Sequence, residues 1–183
     1  MSIRRALIPG VLAVAAAFAA VPAAAQESPF SLEARTGVTI PLGDLSDAGA
    51  ESDLLFAADV YYTLGPTMSL YGGWAYHRFD CAACADDVTA SGPRGGLKIL
   101  FPTPGDATPW IRGGLTYNSA KGLADAESDR ALGIEAGAGI DYALSPRLSI
   151  TPAARYETFN ADFGAAEPSL SYLTLDIGIH LHF

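Results

Sequence analysis

Beyond its first 25 residues the chain has no apolar run approaching the roughly 18 residues that a membrane-spanning helix requires, so any membrane role falls to strands. Cations are scarce: 11 Lys and Arg face 20 Asp and Glu, for a formal net charge of −9. Binding a phosphate backbone takes clustered Lys and Arg, so no nucleic-acid partner is expected. Only two cysteines are present, Cys81 and Cys84, too close together to staple a fold globally. Charged residues are few and glycine is abundant in a chain that is half apolar, a composition that argues against disorder. A length of 183 residues fits one domain.

The N-terminus reads as an export signal. Arg4 and Arg5 supply the positive region, Leu7 to Val21 is apolar and Ala-rich, and Ala23-Ala24-Ala25 offers small residues for a peptidase. The expected division is a signal peptide over 1–25, cleaved near Ala25, and one barrel domain over 26–183.

From Leu173 to Phe183 every odd position is apolar, while Thr174, Asp176, Gly178, His180 and His182 lie between them. Strand side chains alternate between faces, so one face is greasy and the other polar. The same pattern recurs seven times upstream. Phe30, Leu32, Ala34, Val38 and Ile40 oppose Glu33 and Arg35, and Leu54 to Leu64 oppose Asp59. Leu70, Trp74 and Tyr76 oppose His77, Leu97 and Ile99 oppose Arg94 and Lys98, and Ile111, Leu115 and Tyr117 oppose Arg112. Leu132 to Leu144 oppose Glu135 and Asp141, and Leu148, Ile150, Ala154 and Tyr156 oppose Arg155 and Glu157. Each segment is near the roughly 9–11 residues that cross a bilayer at a tilt.

Compact connections at 65–67, 102–109 and 145–146 alternate with longer polar ones at 41–53, 79–91, 119–130 and 160–169. Short turns on one side and long loops on the other predict an all-β, eight-stranded antiparallel up-and-down transmembrane β-barrel with both termini on the periplasmic side. Aromatics on the apolar face sort to the two strand ends, Phe30, Tyr62, Phe101, Tyr142 and Phe183 at one and Trp74, Tyr76, Tyr117 and Tyr156 at the other. That is the placement of two interfacial girdles.

A soluble barrel would show the same alternation with its apolar face inward. The polar face decides between them, because it carries six acids (Glu33, Asp59, Glu135, Asp141, Glu157, Asp176) and six bases (Arg35, Arg94, Lys98, Arg112, Arg147, Arg155). Balanced charge is what a narrow lumen needs, since an unpaired buried ion is costly. An eight-stranded barrel is about filled by its own side chains, so these ions are expected to plug it. Glycines such as Gly72, Gly73, Gly95, Gly96, Gly113 and Gly114 would relieve crowding. Pro152, lacking a donor in mid-strand, predicts a bulge or a broken ladder.

The chain resembles the small OmpA-type and opacity-type outer-membrane barrels from about Phe30 to Phe183, in its export signal, its alternating strands, Arg94-Gly95-Gly96-Leu97 and the final Leu181-His182-Phe183. The resemblance implies a bacterial outer-membrane location and an assembly signal at Phe183 with Leu181, Ile179 and Tyr172, read by the barrel-assembly machinery. It departs from the full-length OmpA plan because the chain ends with the barrel, which predicts no cell-wall tether.

Cys81-Ala82-Ala83-Cys84 reads as a local disulfide, half a metal site with His77, Asp80, Asp86 or Asp87, or a redox pair. An oxidising compartment favours the disulfide. His180 and His182 alternate on the polar face, where Glu33 or Asp141 could pair with them. His77 is the one inward histidine near the loop end; Ser91 or Ser119 could approach it, but no nucleophile motif accompanies them. Arg78, outward at the loop end, is placed for a lipopolysaccharide phosphate.

The expected function is a structural or surface-interaction barrel bearing acidic extracellular loops, with a narrow porin-like channel as the alternative and an outer-leaflet lipid-modifying enzyme behind it. No catalytic residue, metal or cofactor is expected. The expected partners are outer-membrane lipid and lipopolysaccharide, the assembly machinery and an extracellular ligand, bound by a monomer.

Overall fold

The computed structural model describes residues 28–81, 87–122, 128–164 and 168–183. The predicted signal peptide and Cys84 lie outside these residues. Eight antiparallel strands follow chain order around a closed barrel: β1 (Phe30–Leu42), β2 (Glu51–Gly65), β3 (Met68–Asp80), β4 (Val88–Leu100), β5 (Ala107–Lys121), β6 (Ala131–Ser145), β7 (Leu148–Asn160) and β8 (Ser169–His182). Closure is made by β1 against β8, from Ser31 opposite His182 to Leu42 opposite Ser171. It leaves no unpaired sheet edge, the condition for placing strands in hydrocarbon.

The greasy face is the outer one. Leu132, Leu115, Ile134, Phe56 and Ile179 are each more than half exposed, and the opposite positions Glu33, Asp59, Thr39 and Thr151 are wholly buried. An unbroken apolar surface of this extent does not persist in water. Both aromatic sets point outward at their two ends of the wall.

Pro66 and Thr67 alone join β2 to β3, and Pro146 and Arg147 alone join β6 to β7. Arg147 is therefore an exposed turn residue, a correction to its place among the lumen cations. The turn predicted at 102–109 closes earlier, because Thr108 and Pro109 already pair with Asp141 and Ile140. The four long connections are also shorter than expected: β4 starts at Val88, β5 reaches Lys121 and β1 runs through Pro41 to Leu42. The first of them contains a single helical turn, α1 (Asp44–Asp47).

At Pro152 there is no bulge. The residue pairs with Ile177 in β8, while the β6–β7 ladder is interrupted from Gly139–Ala153 to Tyr142–Ile150 with its register kept. The missing N–H costs one side of the strand its hydrogen bonds and leaves the other intact. A true register shift occurs instead in β2, between Ser52 and Leu55.

Candidate functional site

Inward side chains of the middle of the wall form one ionic network. Asp59 of β2 is its hub: it accepts from Arg35 Nε at 3.3 Å, from Arg94 Nε at 3.0 Å and from Arg112 at 3.1 Å. Glu135 joins Arg112 at 3.0 Å and Arg94 at 3.2 Å. Asp176 joins Arg35 at 3.3 Å and also Arg155, which reaches Glu33 at 3.2 Å. Glu157 extends the network toward the loop end through Arg94 at 3.9 Å and His77 at 3.7 Å. Lys98 and Asp141 form a separate pair at 2.7 Å nearer the turns. Apart from Arg147, every residue of the sequence-predicted lumen set lies in a buried or half-buried ion pair.

With Arg147 outside, the lumen holds six acids against five Lys and Arg, and His77 stands against the sixth acid. Charges this deep are tolerable only if each keeps partners. Tyrosines supply them: Tyr61 donates to Glu33 at 2.5 Å, Tyr71 donates to Glu135, and Tyr172 donates to Glu157 at 2.8 Å. Asn118 also donates to Glu157, at 2.5 Å. The Arg112 guanidinium lies 4.5 Å from the Tyr71 ring centroid and the Lys98 ammonium 4.6 Å from that of Trp110. Gly96 and Gly114, paired in register, make room for Tyr71: a Cβ on Gly114 would sit 2.3 Å from the Tyr71 oxygen and 2.4 Å from the Gly95 carbonyl.

Above the ions the lumen turns dry. Phe79, Val88, Ala90, Ala120, Phe159 and Leu170 point inward at the loop end and pack with Leu45 of α1 into a fully buried apolar cap. The connections around it are tied together. Ser169 N–H donates to Asp44, Asp129 N–H to the Asp162 carbonyl, and Ala120 N–H to Ser128 Oγ. At the turn end, His180 bonds Ser31 Oγ at 2.7 Å and stacks on His182 at 4.4 Å, and His182 bonds Ser149 at 3.3 Å. Both histidines find hydroxyls rather than the carboxylates expected for them.

Tyr172 faces the lumen and is fully buried, whereas Ile179 and Phe183 are exposed on the outer wall. The four assembly-signal residues therefore do not share a face; strand alternation puts position 172 with Thr174 and Asp176. His77 Nδ1 bonds Thr39 at 3.1 Å, so the hydrogen bond of this histidine goes to a threonine and not to Ser91 or Ser119. Arg78 is committed to Asp53 at 2.9 Å and Asp87 at 2.7 Å, not held open for phosphate. Cys81 is disulfide-bonded and buried in the apolar cap, and Cys84 lies outside the described residues. Among the described residues no group of three or more His, Cys, Asp or Glu could hold a metal.

The tyrosines and the cap were missed by sequence reasoning. Tyr61 and Tyr71 carry a usable signal, since each falls on the parity of the lumen acids. The cap residues carry the opposite one, being apolar on the polar parity.

The fold is shared by solved structures at low sequence identity. Neisserial surface protein A matches with a TM-score of 0.66 at 18% identity, covering 86% of this chain and 99% of the other. The N-terminal β-barrel domain of Pseudomonas aeruginosa OprF matches at 0.54 and 14% identity, covering 86% and 100%. The outer membrane protein OprG of Pseudomonas aeruginosa matches at 0.54 and 14%, covering 86% and 98%. No curated protein sequence matches the chain at a significant level. The family model for the outer membrane protein beta-barrel domain, however, matches residues 11–183. With the outward apolar wall and the paired ions inside, that match makes the chain a member of the outer membrane protein beta-barrel family, resident in the bacterial outer membrane.

Proposed function

We propose that the protein is a closed structural barrel that presents acidic connections at the cell surface to an extracellular ligand, and that it is neither a channel nor an enzyme. One observation carries this reading: the lumen is obstructed twice over, by the ionic network centred on Asp59 and by the apolar cap around Phe79. A narrow porin needs a continuous wet path, and hydrated solutes have none through interlocked guanidinium groups topped by buried aromatics. Exposed carboxylates at Asp44, Asp47, Asp129 and Asp162 give the surface its negative character. His77, the residue an enzymatic reading would use, is buried between Thr39 and Glu157. The protein acts as a monomer in outer-membrane lipid and lipopolysaccharide, delivered by assembly machinery that reads the Phe183 end.

Planar-bilayer recording of the purified barrel tests this reading. Silence is the expected result, and reproducible unitary conductance would overturn it in favour of the porin-like alternative. Lipid A mass spectrometry of cells with and without the protein addresses the enzyme reading. An unchanged acyl pattern is expected, and a change abolished by His77→Ala would replace the proposal.

A further inference from the structure

The outer wall is not uniformly greasy. Over β4, β5 and the start of β6 the outer wall dips into a shallow, open depression lined by Pro93, Gly95, Leu115, Tyr117 and Leu132. Register explains it. Trp74 lies beside Pro93, and Tyr117 beside Leu132, so two large aromatics stand on either side of a flat proline. One pair further toward the turns, Gly72 lies opposite Gly95, so the floor carries no side chain there. The walls of the depression belong to the aromatic level at the loop end of the barrel, which is the outer-leaflet boundary.

A cation crosses the head of this depression. Arg130 precedes β6, yet its guanidinium lies 5.2 Å from the ring centroid of Trp74 on β3, on the far side of β4 and β5. Arg78, the other arginine at this rim, is held by Asp53 and Asp87. Arg130 is exposed and has no carboxylate partner among the described residues. An aromatic face orients a guanidinium without neutralising it, so among the described residues nothing competes with an anion for Arg130. A lateral apolar depression headed by an oriented guanidinium complements the shape and charge of a lipid with an anionic phosphate headgroup.

We propose that this depression holds one acyl chain of an outer-leaflet lipid whose headgroup presents an uncapped, anionic phosphate, with Arg130 on that phosphate. The slot takes the chain over the Gly72–Gly95 floor between Trp74 and Tyr117, and the guanidinium makes a charge-assisted contact to the headgroup. The site depends on the barrel being in a membrane, not on whether its lumen conducts.

The two tryptophans make the test direct, because Trp110 is 1% exposed inside the lumen and only Trp74 meets lipid. The barrel is reconstituted in phosphatidylcholine vesicles containing increasing fractions of either dibrominated-acyl phosphatidic acid or dibrominated-acyl phosphatidylcholine. Quenching of Trp74 then gives the relative association of the two lipids at the slot. Phosphatidic acid is expected to be preferred about fivefold, the scale of one basic residue against one anionic headgroup. Arg130→Gln should reduce the ratio to about one. Gly72→Leu should lower it with Arg130 in place, because a Cβ at Gly72 meets nothing closer than the Arg94 carbonyl at 3.8 Å and the leucine fills the floor. A ratio near one in the native protein, or a preference that survives Arg130→Gln, would overturn the proposal. Loss with Arg130→Gln but not with a folded Gly72→Leu would overturn the acyl slot and leave headgroup pairing alone. Mobility of unheated against boiled samples establishes that each variant has folded; should Gly72→Leu fail, Arg130→Gln still decides.

Discussion

Arg94 grips Asp59 with two nitrogens, Nε at 3.0 Å and a terminal nitrogen at 3.2 Å, and so joins β4 to β2 across the inner face of the intervening β3. The fork geometry matches both carboxylate oxygens, and Arg35 and Arg112 use what remains of them. Removing the hub leaves three guanidinium groups short of a partner in a dry interior. Asp59→Ala is therefore expected to lower stability by about 3–5 kcal/mol. Urea unfolding in lipid vesicles, followed by gel mobility, would show this as a clear fall in midpoint; an unchanged midpoint would mean that the network is not a stabilising element.

Tyr71 and Gly114 form a matched pair of large and absent side chains. Gly114→Ala should cost about 1–3 kcal/mol through overpacking. Adding Tyr71→Phe should recover only part of it, since the Gly95 carbonyl stays 2.4 Å from the new Cβ. A double-mutant cycle of unfolding midpoints measures the recovery. Full recovery would place the whole clash on the tyrosine oxygen.

Phe183 and Tyr172 separate a surface signal from a lumen role. Deleting Phe183, exposed on the outer wall, is expected to reduce the amount of assembled protein in the outer membrane. Tyr172→Phe is expected to leave assembly near normal and to lower stability by about 1–2 kcal/mol, because Glu157 loses a hydrogen bond but keeps Asn118. Fractionation with heat-modifiability gels reads both. The opposite ranking would put the assembly signal on the lumen face.

The cap predicts local protection at the cell surface. Phe79 is wholly buried and its ring lies 5.4 Å from that of Tyr172. Phe79→Ala should cost about 3–5 kcal/mol and speed protease cutting of the loop end on intact cells. Conductance should stay absent, because the ions beneath the cap are untouched.

The strand centres were legible because one solvent difference governs them, hydrocarbon outside and paired ions inside. That rule writes an unbroken alternation at, for example, 173–183. Toward the loop end the solvents exchange places. Above the aromatic level the outer face meets water and the inner face is sealed, so Phe79, Val88 and Ala90 point in while Arg78, Thr89 and Ser91 point out. The alternation continues with its sign reversed, and a reading that expected polar residues inward treats such a stretch as loop. Val88 to Ser91 was lost to the fourth strand for that reason. The acids and bases of the site could be found from parity alone. Their pairing could not, because it joins strands that are far apart in sequence, as with Arg155 and Glu33.

The ionic network also constrains how such a wall can be built. Its members come from both ends of the chain, Glu33 and Arg35 on the first strand and Arg155 and Asp176 on the last two. A sheet of the first six strands would keep Asp59 for Arg35, Arg94 and Arg112, but it would take Arg155 from Glu33 and Asp176 from Arg35 and lay the inner face of the whole network open to oil. Insertion and cylinder closure must therefore be a single concerted event, and a chain cut short by its last hairpin should stay in the periplasm as a protease substrate rather than stall half-embedded.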